Sequence, residues 1–226
     1  MKMWNFRGHS VTALGLLGTA FIFASLASAT TLAPDGSVSP VVVDAAGVSG
    51  TLLASVTDPY NVGLGGNQDI GSVTEWVVSD ANNTFGAGDL DFIYQVTIDG
   101  AGDASKLTVS NYASLTTDVY DALGTACAAC AGDVAGTVSA STASNNGVGG
   151  ISFNFLPVVP KNTTSYLLIV ETGATQWVPG QISVIDNTTA NLGGFAPAPE
   201  PGSVGLLLGG LFSLGLFVRR FRTQQS

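Results

Sequence analysis

The chain has 226 residues, with seven Lys and Arg against sixteen Asp and Glu and a formal net charge of −9. That length holds one domain of ordinary size together with targeting segments. All the basic residues except Lys106 and Lys161 lie before residue 8 or after residue 218. A phosphate backbone is bound through clustered Lys or Arg, so the acidic centre of the chain excludes nucleic acid as a partner.

The first 29 residues have the features of an export signal. A basic start precedes an apolar run over 11–26, and Ala27 and Ala29 then supply the small-x-small pattern that signal peptidase accepts. We therefore predict a signal peptide over 1–29 that is removed on export. Its removal also removes His9, the single histidine, so the mature chain has no imidazole for proton transfer.

The region 30–186 shows the period-two alternation of half-buried strands. The clearest example is 91–99, where Phe92, Tyr94, Val96 and Ile98 alternate with mostly polar residues. Further strands are predicted at 72–79, 106–110, 115–120, 151–155, 166–170 and 181–185, and more weakly at 38–43 and 51–56. Turns are predicted at Asp58-Pro59, 63–66, 86–88, 99–102, 145–150 and Val178-Pro179-Gly180. Seven to nine strands without helices predict an all-β domain, an antiparallel β-sandwich of Ig-like or jelly-roll-like form.

The chain after residue 186 changes character. Residues 187–198 are first polar and then Pro-rich, which predicts a linker. The remaining segment, 199–226, begins with Pro-Glu-Pro, continues as an apolar stretch over 202–218, and closes with a basic stop at 219–222. As a helix the apolar stretch would be roughly 25 Å long, which predicts a short transmembrane span. The basic stop would remain in the cytoplasm, so the acidic domain would lie outside.

The order of these parts resembles the PEP-CTERM sorting signal of bacteria with a double membrane. The resemblance rests on the apolar stretch and on Pro199, Glu200, Pro201, Arg219 and Arg220. It implies that exosortase, a membrane-embedded Cys transpeptidase, processes the chain near the Pro-Glu-Pro motif. It also implies passage through the inner membrane, then residence at the cell surface or in the extracellular matrix, with extracellular polysaccharide as a possible partner.

Cys127 and Cys130 form the only cysteine pair. A thioredoxin-like redox pair would need a βαβ context, and a structural zinc site would need further Cys or His ligands that the mature chain lacks. An exported protein favours a local disulfide instead. We predict that disulfide, and no metal site or cofactor.

Two pairs of acids leave calcium open as an alternative, Asp89 with Asp91 and Asp99 with Asp103. Carboxylate oxygens are calcium ligands, but neither pair matches an EF-hand loop, and turns are rich in Asp without binding metal. Glu75 and Glu171 are the acids that a glycosidase mechanism would use. The sequence does not indicate a second carboxylate that would act together with either of them. We therefore predict a protein that is not an enzyme and has no catalytic residues.

These observations predict a non-enzymatic surface or matrix protein, associated with biofilm or exopolysaccharide. The alternative is a membrane-anchored carbohydrate-binding (or ice-binding) module. Sugar binding would need exposed aromatic side chains, drawn from Trp76, Trp177, Tyr60, Tyr112 and Tyr120, whereas their burial would favour the structural role.

Overall fold

The structure is a computed structural model that describes residues 29–43, 48–65, 68–113, 115–124 and 127–198. The described residues form strands, turns and loops, and none of them belongs to an α-helix. Among them there is accordingly no helix long and apolar enough to cross a membrane. Residues 1–28 of the predicted signal peptide, with Ala27 among them, lie outside the described residues, as do the Pro-Glu-Pro motif, the apolar span and the basic stop.

Fourteen strands are present in the described ranges. They are β1 Thr30–Leu32, β2 Ser37–Val38, β3 Val41–Val43, β4 Gly50–Val62, β5 Asp69–Asp80, β6 Leu90–Ile98, β7 Ala104–Ser110, β8 Thr117–Ala122, β9 Thr142–Asn145, β10 Gly150–Val159, β11 Thr163–Thr164, β12 Leu167–Glu171, β13 Trp177–Ile185 and β14 Thr189–Pro197. The first sheet has the order β1-β8-β12-β6-β5-β4, with β11 added beside β6 and β3 beside β8; the second has the order β14-β13-β7-β10-β9-β2. All pairings are antiparallel except that of β3 with β8. The prediction of an all-β, antiparallel domain is confirmed.

The two sheets share one hydrophobic core. The first sheet contributes Phe92, Val96 and Val170 from its inner face, and the second contributes Leu107 and Phe153, all fully buried. These are the apolar positions of the alternating strands, because successive side chains on a strand project to opposite faces. Facing sheets that bury one another's apolar sides form a β-sandwich.

The outer face of the first sheet is also buried, which the alternation of 91–99 did not predict. A segment running from residue 127 to 138 covers it: Trp76 Nε1 donates to the carbonyl of Ala131 at 3.2 Å, and Gln95 Nε2 donates to the carbonyl of Val134 at 2.7 Å. Cys127 and Cys130 lie in this cover and join a second apolar cluster against the sheet. The supposedly polar side of β6 is therefore interior.

Two of the predicted turns are wrong. Asp58-Pro59 lies inside β4, and Val178-Pro179-Gly180 lies inside β13. Proline is tolerated where a strand has an open side, since its missing N–H is not needed there. Strand β4 is the edge of the first sheet, and β13 pairs with β7 only from Ile182 onward.

The predicted linker over 187–198 is also wrong, because most of it is β14. This strand pairs with β13 along its whole length, from Thr189 opposite Ile185 to Pro197 opposite Trp177. Gly193, Gly194 and Pro197 are residues typical of linkers, but here they belong to a strand. Ala190 and Ala196 of that strand are buried. The folded domain consequently continues to Ala198, whose N–H donates to the carbonyl of Gln176 at 2.9 Å.

Candidate metal centre

Four acidic residues come together on the outer face of the first sheet. Asp91 of β6 lies directly opposite Glu171 of β12, and Glu171 lies directly opposite Asp118 of β8. Opposite residues in an antiparallel pair project to the same face, so these acids form a row across three strands. Asp80 of β5 lies on the same face. It is two positions after Val78, and Val78 is directly opposite Asp91.

Three of these acids are both buried and close together. Asp80, Asp91 and Glu171 each offer one carboxylate oxygen, and these oxygens all lie within 4.8 Å of one another. Asp80 and Asp91 are 0% exposed and Glu171 is 5% exposed. Like charges placed opposite one another destabilise a sheet, and burial strengthens their repulsion. The arrangement therefore needs something to neutralise it.

The hydrogen bonds of Asp80 and Asp91 use only one oxygen of each carboxylate. Asp91 Oδ1 accepts from Asn83 Nδ2 at 2.7 Å, while Asp80 Oδ1 accepts from the backbone N–H of Asn82 at 2.9 Å and of Ser49 at 3.3 Å. Oδ2 of Asp80 and Oδ2 of Asp91 are buried without a hydrogen-bond partner. A buried carboxylate oxygen that accepts no hydrogen bond is strongly unfavourable, unless it is protonated or bound to a metal ion.

Thr84 serves Glu171 and Asp118 together. Its Oγ1 lies 2.7 Å from Glu171 Oε2 and 2.8 Å from Asp118 Oδ2. A hydroxyl has one proton, so Thr84 can donate to only one of the two carboxylates at a time. The turn that carries Asn82, Asn83 and Thr84 thus closes over the acids but supplies fewer donors than they have acceptor sites.

The pKa values of the groups in this cluster are raised, as expected where hydrogen-bond donors are too few. Burial, followed by the charges of Glu171 and Asp80, raises the pKa of Asp91 to about 9. Burial likewise raises the pKa of the Glu171 carboxyl, and the Tyr120 phenol beside it has a pKa above its ordinary value for the same reason. The surroundings of these groups disfavour added negative charge.

No basic side chain of the described residues neutralises the cluster. Those ranges contain only Lys106 and Lys161 as Lys or Arg. Lys106 belongs to β7 of the second sheet, on the far side of the core, and Lys161 is exposed in the turn between β10 and β11. As far as the described residues go, compensation comes from protons or from a bound cation.

The acid pairs expected from the sequence do not form the site. Asp91 belongs to it, but Asp89 is half-buried in the segment before β6 and is not part of the group. Asp99 is exposed and Asp103 is half-buried, and no third acid forms a group with them in the described part of the chain. The partners of Asp91 are instead residues distant in sequence, which strand pairing brings beside it.

Glu75 occupies a different environment on the opposite face of the same sheet. It lies across from Tyr94 in the core, and its Oε2 accepts from the backbone N–H of Phe195 at 2.7 Å. Burial raises the pKa of Glu75 to about 8. A side chain at Gly194 would collide with Glu75, since a Cβ there would lie 2.5 Å from Oε2. Because Glu75 and Glu171 lie on opposite faces of the sheet, they do not flank a common cleft.

The candidate aromatic and cysteine residues are mostly interior. Trp76, Tyr60, Tyr112 and Tyr120 are all buried, and Trp177 is half-buried. The expectation that they are core residues is confirmed for the first four. The predicted disulfide joins Cys127 and Cys130, with an S–S distance of 2.02 Å.

The fold and the site define an acidic, all-β protein with a buried carboxylate cluster. Comparison with models of protein families, with curated proteins and with solved structures gives no match. The function is therefore argued from the residues themselves.

Proposed function

We propose that this chain is an exported, non-enzymatic surface or extracellular-matrix protein, sorted through its PEP-CTERM-like tail. The observation that carries the proposal is the order of the three tail parts: Pro199 to Pro201, the apolar stretch 202–218, and the basic residues that follow it. The export signal at the other end of the chain agrees with this order. Exosortase and signal peptidase would be its processing enzymes.

The acidic domain suits a location outside the cell. A surface with many Asp, Asn, Ser and Thr side chains remains soluble without repeated Lys or Arg. The Ig-like or jelly-roll-like form expected from the sequence belongs to this proposal, as do the flanking signal peptide and transmembrane helix.

The other functions have less support. Sugar recognition by stacking needs aromatic faces open to solvent, whereas four of the five candidate aromatics are buried. Glycoside hydrolysis needs two carboxyl groups across one bond, and Glu75 and Glu171 lie on opposite faces of a sheet.

The experiment separates sorting from simple anchoring. A triple variant, with Pro199, Glu200 and Pro201 each changed to Ala, retains the apolar stretch and the basic stop. It should still insert with the domain outside, but should accumulate with its complete tail in a host that carries exosortase. A chain truncated before Pro199 is the matched control and should be released as soluble protein. Membrane fractionation and intact-mass measurement compare these forms with the wild type. Identical C-terminal masses for the wild type and the triple variant would reject the sorting signal.

A further inference from the structure

We propose that Asp80, Asp91 and Glu171 bind one calcium ion, which stabilises the domain. The inference stands independently of the sorting tail, because it concerns only residues of the described β domain. It replaces the acid pairs suggested by sequence proximity with a site assembled from three strands.

The first argument is charge. Three carboxylates share a space in which their nearest oxygens lie within 4.8 Å of one another, and all three are buried. A proton shared between Asp80 and Asp91 would remove one charge and leave the others. A divalent cation would compensate two charges at once and would accept ligands from all three side chains.

The second argument is independent of charge and concerns unmet bonding. When both carboxylates are ionised, Asp80 Oδ2 and Asp91 Oδ2 have no hydrogen-bond donor, and both residues are 0% exposed to water. Their other oxygens are already held by Asn82 and Asn83. The protein thus orients two carboxylates with backbone and amide donors and leaves one oxygen of each free, as the groups that hold a metal's ligands in place do.

The third argument is size. Calcium bonds to oxygen at 2.3–2.6 Å, so two ligands on opposite sides of the ion lie about 4.8 Å apart. Ligand oxygens that all lie within 4.8 Å of one another are compatible with that separation. Magnesium usually keeps several waters and is held by one or two carboxylates rather than by a protein cage. Three buried carboxylates therefore favour calcium over magnesium.

The position of the ion would link separate parts of the fold. Asp80 is the last residue of β5, Asp91 is the second residue of β6, and Glu171 is the last residue of β12. One ion would therefore join the ends of three strands and the turn between β5 and β6. Calcium would then bind the folded chain and not the unfolded one, and would raise stability by mass action. Waters would complete the coordination shell, since three carboxylates supply fewer than the six to eight oxygens that calcium takes.

The test uses the full chain, purified in mild detergent and freed of metal with a chelator. Calcium chloride at about 100-fold above the dissociation constant should raise the unfolding temperature by roughly 5–10 °C. Titration calorimetry should give one calcium per chain, and magnesium chloride at equal concentration should produce a much smaller shift. An unfolding temperature that calcium leaves unchanged would overturn the proposal.

The decisive variant is Asp91→Asn, which keeps the acceptor for Asn83 but loses the charge. It should lose the response to calcium, because an amide offers the ion no negative charge. Asp89→Asn is the matched control, since it removes a half-buried acid two positions away that is not part of the cluster, and it should retain the full response. If Asp91→Asn fails to fold, Glu171→Gln replaces it. An equal loss in the Asp89 variant, or a full calcium response in both cluster variants, would overturn the assignment.

Discussion

The two faces of the first sheet bury acids in two different ways. On the inner face Glu75 is a single carboxyl, placed between apolar layers with one oxygen bonded to the backbone of Phe195. On the outer face Asp80, Asp91 and Glu171 lie together. A single acid becomes neutral by retaining one proton, whereas three acids in one space would need several protons or a cation. Burial alone therefore does not indicate a ligand site, but the number of acids that share the space does.

The largest effect should follow from giving the inner face a second acid. Tyr94→Asp places a carboxylate beside Glu75, at a position where both side chains are 0% exposed. We expect the domain to unfold, with a loss of roughly 4 kcal/mol or more, because a buried charge without a partner is among the most damaging substitutions. Circular dichroism and urea unfolding measure the loss.

Tyr94→Phe is the control for that substitution. It keeps the ring and removes only the hydroxyl, which lies 2.8 Å from that of Tyr112 and also bonds to Glu75. The expected cost is about 1 kcal/mol. A Tyr94→Asp protein with the unfolding midpoint of the wild type would show that this face tolerates acids as the outer face does.

The second prediction concerns pH and Glu75. Its pKa is about 8 in the folded chain against an ordinary value of 4.5. Between these values the unfolded chain releases the proton while the folded chain keeps it, so the free energy of unfolding falls as pH rises. Below the window both states are protonated, and above it both are ionised. The full change is on the order of 4 kcal/mol.

Glu75→Gln isolates that contribution, because an amide of similar shape cannot ionise. Urea unfolding near pH 5 and near pH 8 should give a smaller fall in stability for the variant than for the wild type. The other buried acids, including Asp121 with a pKa raised to about 7 by burial, affect both proteins alike. Equal falls in the two proteins would mean that Glu75 is already ionised in the folded state.

The third prediction, with the smallest expected loss of stability among the three, concerns the disulfide in segment 127–138, which covers the outer face of the first sheet. Replacing Cys127 and Cys130 with Ser opens a loop of four residues, and the loop-entropy relation gives a loss of about 2 kcal/mol. In exported protein we expect both cysteines to be oxidised and therefore resistant to alkylation before reduction. Mass spectrometry that finds two alkylated thiols without reductant would contradict this expectation.

The sequence predicted local structure better than it predicted contacts. Alternation placed β6 and β10 correctly, because period two is a property of the strand itself. The Pro and Gly signals misplaced parts of β4, β13 and β14, since strand segments with an open side accept residues that fully paired segments exclude. An edge position depends on the whole sheet and cannot be read from one segment.

The metal centre was hidden for a related reason. Asp91 was singled out, but with Asp89, its neighbour in sequence, instead of Glu171, its neighbour across the strands. Register is set when strands pair, so one sequence shows the acids but not which of them meet. The buried outer face was missed as well, because its cover is a Gly- and Ala-rich segment with no strong pattern of its own.

The course of β14 bears on how the domain would respond to mechanical force. This strand ends at Pro197, one residue before the described chain ends, and within its sheet only β13 holds it. Tension arriving from the C-terminal side would reach β14 first. A pull along the strand would load its ladder of bonds together, whereas a pull away from the sheet would open them one by one from Pro197. Phe195 lies near that end, so early peeling would break its bond to Glu75 and open the core to water.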